Sequence, residues 1–224
     1  MAVRLPPVEF SLNSGGKYFA IALVSTTIIY LWPVVYWLGP RHWSAIVMIL
    51  SGLVAALEYH RRHSICGRDW GMSWPDLWPG LAWALALTFP VSLALLVAGA
   101  SRGVLSGRRH PLEDLFWLFL WGLAQQFVLQ TVVLRELLKV WPGRAGITMT
   151  ALVFALMHLP NPFLTPVTFV GAWVWCWIYR RHPNVLPLAF SHALATLVIL
   201  ASLPKPLTGN MRVGYSYLLL QMRE

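Results

Sequence analysis

Between Pro79 and Ala100 the chain carries no Asp, Glu, Lys or Arg. A helix needs about 20 mostly apolar residues to cross the hydrocarbon core of a bilayer, so this run fits a membrane span better than a soluble core. Predominantly apolar runs recur at 18–38, 43–57, 115–140, 147–159, 163–179 and 185–203. The pattern predicts an all-α polytopic integral membrane bundle of about six to eight spans. Composition agrees: 58% of the 224 residues are hydrophobic and only 11% charged, against roughly 25% charged in an ordinary soluble domain. Such a surplus of apolar side chains excludes a water-soluble or disordered protein.

The fifth run is short and ends in His158-Leu159-Pro160-Asn161-Pro162. Its prolines remove backbone donors and stop the helix, so it is expected to penetrate only part of the bilayer. Residues 1–17, broken by Pro6 and Pro7, read as a peripheral arm without the order of a cleavable signal peptide. Residues 18–204 read as one membrane-embedded domain and 205–224 as a C-terminal tail. The net charge is +9, from 17 Lys and Arg against 8 Asp and Glu. These cations lie in short loops between apolar runs, which points to lipid headgroups and away from nucleic acid. Trp70, Trp74 and Trp78 are expected to anchor at the membrane interface. Cys66 and Cys176 fit neither a disulfide framework nor a CxxC metal site and read as free thiols.

Polar side chains inside hydrocarbon carry a desolvation cost, so those placed mid-span direct attention to function. They are Gln125, Gln126 and Gln130 in the fourth run, His158 closing the fifth, and His192 in the seventh. Gln126 and Gln130 are four residues apart and share a helix face, with Gln125 about 100° round from Gln126. Each alone also fits a role as interhelical hydrogen-bonding glue.

Taken in order, Gln125-Gln126-Phe127-Val128-Leu129-Gln130, then Phe154 to His158, then His192 to Thr196 resemble an intramembrane endopeptidase family. It includes the CAAX prenyl proteases and bacteriocin-processing proteins and is called CPBP or Abi. Its pattern is EExxxR, FxxxH and HxxxN, each on a membrane helix. The FxxxH motif is matched in full, and Thr196 stands where Asn is common. The resemblance covers a core at about 115–202. It implies a site built from Gln125, Gln126, His158 and His192, with Gln130, Phe154 and Thr196 around it. It also implies membrane-associated peptides or lipidated tails as substrates, and a prokaryotic inner (cytoplasmic) membrane as location.

The first motif departs from the family in a way that bears on mechanism. Both Glu positions are Gln and the Arg position is Gln130. A glutamine amide orients a water but does not take its proton, so general-base catalysis is lost at Gln125. Glu58 is the candidate replacement base, its alternative being a pair with Arg61 or Arg62. Glu136 is expected about 16 Å farther along the helix on nearly the face of Gln125, in an interfacial cluster with Arg135 and Lys139. No metal or other cofactor is expected, since two histidines lack a good third ligand. His42, His60, His63, His110 and His182 read as solvated loop residues, and Asn161 and Asn184 as helix terminators beside proline. Two functions remain: a divergent membrane peptidase, or a non-catalytic protein whose cavity binds a lipid, an isoprenoid or a partner helix. A transporter is disfavoured by the lack of paired charges and broken repeats.

Overall fold

The computed structural model describes residues 50, 53, 54, 56–61, 70–107 and 110–222. The span expected at 18–38 and most of that at 43–57 lie outside them, as do Cys66, His42 and His63. Five longer helices follow in the described chain: α1 (Leu77–Ser101), α2 (Pro111–Val140), α3 (Arg144–Leu156), α4 (Leu164–Tyr179) and α5 (Val185–Ser202). They coincide within a few residues with the last five apolar runs. No strand occurs among the described residues, and the all-α membrane bundle read from the sequence is borne out.

Among the described residues, three helical stretches are long and apolar enough to cross a bilayer: Trp74–Ser101, Pro111–Val140 and Val185–Ser202. The 13 residues of α3 rise only about 20 Å against a hydrocarbon thickness of about 30 Å, in keeping with Pro160 and Pro162 just beyond its end. Large apolar side chains face outward along α1 and α2, among them Phe89, Val91, Val97, Leu112 and Trp117. An outer surface of this kind is stable against lipid. The chain is an integral membrane protein.

Packing centres on α5, which lies against both α1 and α2, while α3 packs on α4. One apolar cluster draws on each of α1 to α5: Ala84 of α1, Leu129 of α2, Phe154 of α3, Trp175 of α4 and Leu188 of α5. Within α2 the residues Leu129–Leu134 are π-helical, between α-helical Pro111–Val128 and Arg135–Val140. The i→i+5 bonds of a π segment take more residues per turn than an α-helix, so side chains beyond it point in new directions.

Asn161 and Asn184 do more than end helices. Asn184 caps α5 by accepting from Leu186 N at 3.0 Å, and its Nδ2 donates to Ser73 O at 2.9 Å. That bond stitches the loop before α1 to the α4–α5 turn. Asn161, fully buried, accepts from Phe163 N and Leu164 N at the start of α4. Its Nδ2 donates to Thr208 O and Arg212 O, both at 2.9 Å. The segment expected as a tail is thus folded, with α6 (Lys205–Thr208) and α7 (Gly214–Gln221) docked on the turn that follows His158. Gly209 permits that docking: at φ 57° a side chain is strained, and its Cβ would stand 2.8 Å from Asn161 Nδ2. Trp74 and Trp78 are exposed, as interfacial anchors require. Trp70 is exposed as well, and its ring lies 5.3 Å from that of His60.

Candidate functional site

Gln126 and Gln130 are 0% and 1% exposed, and they satisfy one another in part: Gln130 Nε2 donates to Gln126 Oε1 at 2.9 Å. Gln126 Nε2 and Gln130 Oε1 then have no hydrogen-bond partner among the described residues, nor does Oε1 of the half-buried Gln125. Each such atom costs desolvation free energy that a ligand, a water or a side-chain rotation would recover.

His158 stands at the end of α3, half-buried, with its Nδ1 2.7 Å from Phe154 O. A carbonyl only accepts, so Nδ1 carries the proton and the neutral ring keeps its lone pair at Nε2. The Phe154 ring lies between the histidines, 4.8 Å from His158 and 6.2 Å from His192. His192 of α5 is stacked on Trp175 at 4.6 Å. The indole is itself fixed, since Trp175 Nε1 donates to Ser191 Oγ at 3.1 Å and Ser191 Oγ pairs with Thr88 Oγ1 at 2.6 Å. Three helices therefore hold the His192 ring in place. Its Nδ1 is buried with no partner among the described residues.

The approach of α5 to the glutamine-bearing helix depends on Gly122, one turn before Gln126. A Cβ there would meet Ala189 O at 3.2 Å and the Cβ and Cγ of His192 at 3.6 Å. His158, Phe154 and His192 are thus brought together by ring contacts, and His192 is brought against α2 one turn from Gln125 and Gln126. No hydrogen bond joins either histidine to a glutamine among the described residues. Thr196, half-buried, follows His192 by one turn on α5. The sequence reading missed Thr88 and Ser191, whose signal is polarity within an apolar run, and Trp175, which has no signal to separate it from other aromatics.

The carboxylates lie elsewhere. Glu58 accepts from Arg61 Nε at 2.7 Å and Nη2 at 2.8 Å on an exposed surface, so its charge is used in the local pair weighed above as its alternative. Glu136 keeps the Lys139 partner expected of it but not the expected helix face. It does bond Lys139, at 2.5 Å, but it is 1% exposed and also accepts from the Tyr59 hydroxyl. The reason is the π segment: a uniform 100° per residue returns Glu136 to the Gln125 face, whereas the wider turn swings it toward residues 56–61. His60 needs correction too. The helix continues to residue 61, and His60 is fully buried, stacked on Phe127 at 5.3 Å with Nδ1 2.7 Å from Ala56 O. His182 is half-buried, 3.5 Å from Asp76, while His110 is exposed. Among the described residues no group of three His, Cys, Asp or Glu side chains converges as metal ligands would. Cys176 is a buried free thiol.

An all-α membrane bundle with a buried glutamine pair and two histidines in contact with one phenylalanine ring defines the class: a membrane protein with buried polar side chains. Residues 109–198 match the family model described as Type II CAAX prenyl endopeptidase Rce1-like. The matched stretch contains all three motifs and bears out the resemblance they carry. Helix α1 and the C-terminal segment beyond α5 lie outside it. No curated protein and no solved structure matches the chain significantly.

Proposed function

We propose that the chain is a divergent CAAX-endopeptidase-like membrane protein that binds a membrane-associated or lipidated peptide at the His158–His192 site without cleaving it by general-base catalysis at Gln125. One observation carries this reading. Among the described residues no Asp or Glu hydrogen-bonds or ion-pairs with either histidine, while Glu58 and Glu136 are engaged elsewhere. Activation of water needs a group that takes a proton, and an amide does not. What remains suits binding: aromatic walls at Phe154 and Trp175, hydrogen-bonding atoms without partners, and a short α3 within the membrane. The family resemblance goes with a prokaryotic inner membrane as its place.

A second reading, proteolysis with His158 as the base, is favoured by the lone pair left at its Nε2 and by the family match. One experiment separates the two. The full chain in lipid nanodiscs is irradiated with a farnesylated peptide bearing a benzophenone, and the adducts are read by mass spectrometry. The expected result is intact peptide cross-linked near Gln125, His158 or His192. Cleaved peptide, lost in His158→Ala, establishes the second reading; adducts confined to the outer surface of α1 reject both.

A further inference from the structure

We infer that the peptide end or segment taken by this site is neutral, so that a blocked C-terminus or an internal stretch of chain is preferred to a free terminal carboxylate. The inference rests on the binding reading above and specifies its ligand.

It begins with the hydrogen-bonding atoms left over. The bond between Gln130 and Gln126 uses one donor and one acceptor. It leaves both N–H donors of Gln126 Nε2 and the acceptor Gln130 Oε1 without partners, in side chains essentially sealed from solvent. Reversing both amides again leaves one NH2 group and one carbonyl oxygen without partners, so the result does not depend on which way they are drawn. Gln125 and His192 each add an unpartnered atom, and His158 adds the lone pair at Nε2. A peptide amide, with one N–H and one C=O, matches such a mixed set. A carboxylate offers only acceptors and meets acceptors in return.

Charge points the same way. On α2 the nearest cations beyond the glutamines are Arg135 and Lys139, both past the π segment. Lys139 is bonded to Glu136, and Arg135 is close enough to Tyr59 of that cluster to act on it electrostatically. Arg181 lies at the end of α4 with its guanidinium 3.8 Å over the Trp177 ring. A carboxylate taken out of water beside His158 and His192 finds these three cations already engaged, and an unpaired charge in hydrocarbon is costly. An amide or ester avoids that cost. The half-buried Gln125, His158, His192 and Thr196 are what a ligand meets first. Gln125 Oε1 and His192 Nδ1 are covered as the helices stand, so a ligand engages them as those side chains rotate.

The test uses the full chain in phosphatidylcholine nanodiscs and two fluorescent farnesylated peptides identical except for a terminal carboxylate or carboxamide. Binding is read by anisotropy, with empty nanodiscs subtracted. The carboxamide is expected to bind at least about tenfold more tightly, a difference of about 1.4 kcal/mol. The variant Gln125→Lys supplies a cation and is expected to close that gap by strengthening carboxylate binding. Equal affinities, or tighter carboxylate binding, in the wild type overturn the inference and leave the binding reading standing. Failure of both peptides to bind removes the binding reading and the inference with it. Carboxamide binding that is undiminished in His158→Ala combined with Gln125→Leu places the peptide elsewhere and overturns the assignment to this site.

Discussion

The two ends of α2 treat buried polarity in opposite ways. Before the π segment Gln125 and Gln126 are neutral, with Gln130 inside it completing an amide pair. After it, Glu136 is equally buried yet keeps a carboxylate. The difference is what stands opposite. Glu136 has Lys139 one turn away and the Tyr59 hydroxyl from a neighbouring helical segment. Gln126 and Gln130 bond each other, and no charged group bonds them among the described residues. A charge is tolerable in a membrane helix where a counter-charge and a donor are built beside it, and an amide is the stable choice where they are not.

Removing the charged end should do most to break this contrast. Glu136→Leu leaves Lys139 and the Tyr59 hydroxyl without their shared acceptor. It is expected to cost about 3–5 kcal/mol in denaturant-dependent unfolding in detergent, the range for breaking a buried ion pair. Loss below about 1 kcal/mol would mean the pair is no more than a surface contact. Next comes a charge placed at the neutral end: Gln125→Glu lacks any counter-charge and is expected to cost about 2–3 kcal/mol at neutral pH. A melting curve unchanged from the parent would show that the neutral site tolerates an anion.

Smaller effects sharpen the comparison. Gln126→Leu removes one amide pair within α2 and is expected to cost only about 0.5–1.5 kcal/mol, the net worth of a single hydrogen bond. Outright unfolding would show that the glutamines are indispensable to the bundle and not merely suited to a site. Smallest is Glu58→Gln, which removes the exposed pair with Arg61. Its melting temperature is expected to equal that of the parent, because solvent screens both partners.

The sequence made the helices legible because a bilayer imposes one requirement, a long uncharged run, and five such runs coincide with α1 to α5. Gln125, Gln126, His158 and His192 were legible for the same reason, as polar groups where each carries a cost. Glu136 and His60 were misread because both readings assumed local regularity. Uniform α-helical rotation ignores the π segment, and an early helix end at residue 57 turns His60 into a loop residue. Asn161 looked like a terminator because its neighbours are prolines; that it also holds Thr208 and Arg212 depends on a contact some fifty residues distant, which no local pattern encodes. Trp175 stacks on His192 by the same kind of long-range approach.

The central claim is that a neutral glutamine site binds peptide without supplying a base. It is tested most directly by incubating the purified full chain in nanodiscs with membrane-tethered and farnesylated peptides and analysing the products by mass spectrometry. The triple variant Gln125→Glu, Gln126→Glu and Gln130→Arg is run beside it. Wild type is expected to return the peptides uncut, and any cleavage is expected only where the charges have been restored. Efficient wild-type cleavage that survives chelation and disappears in His158→Ala would contradict the claim, showing that a base operates without a carboxylate at position 125.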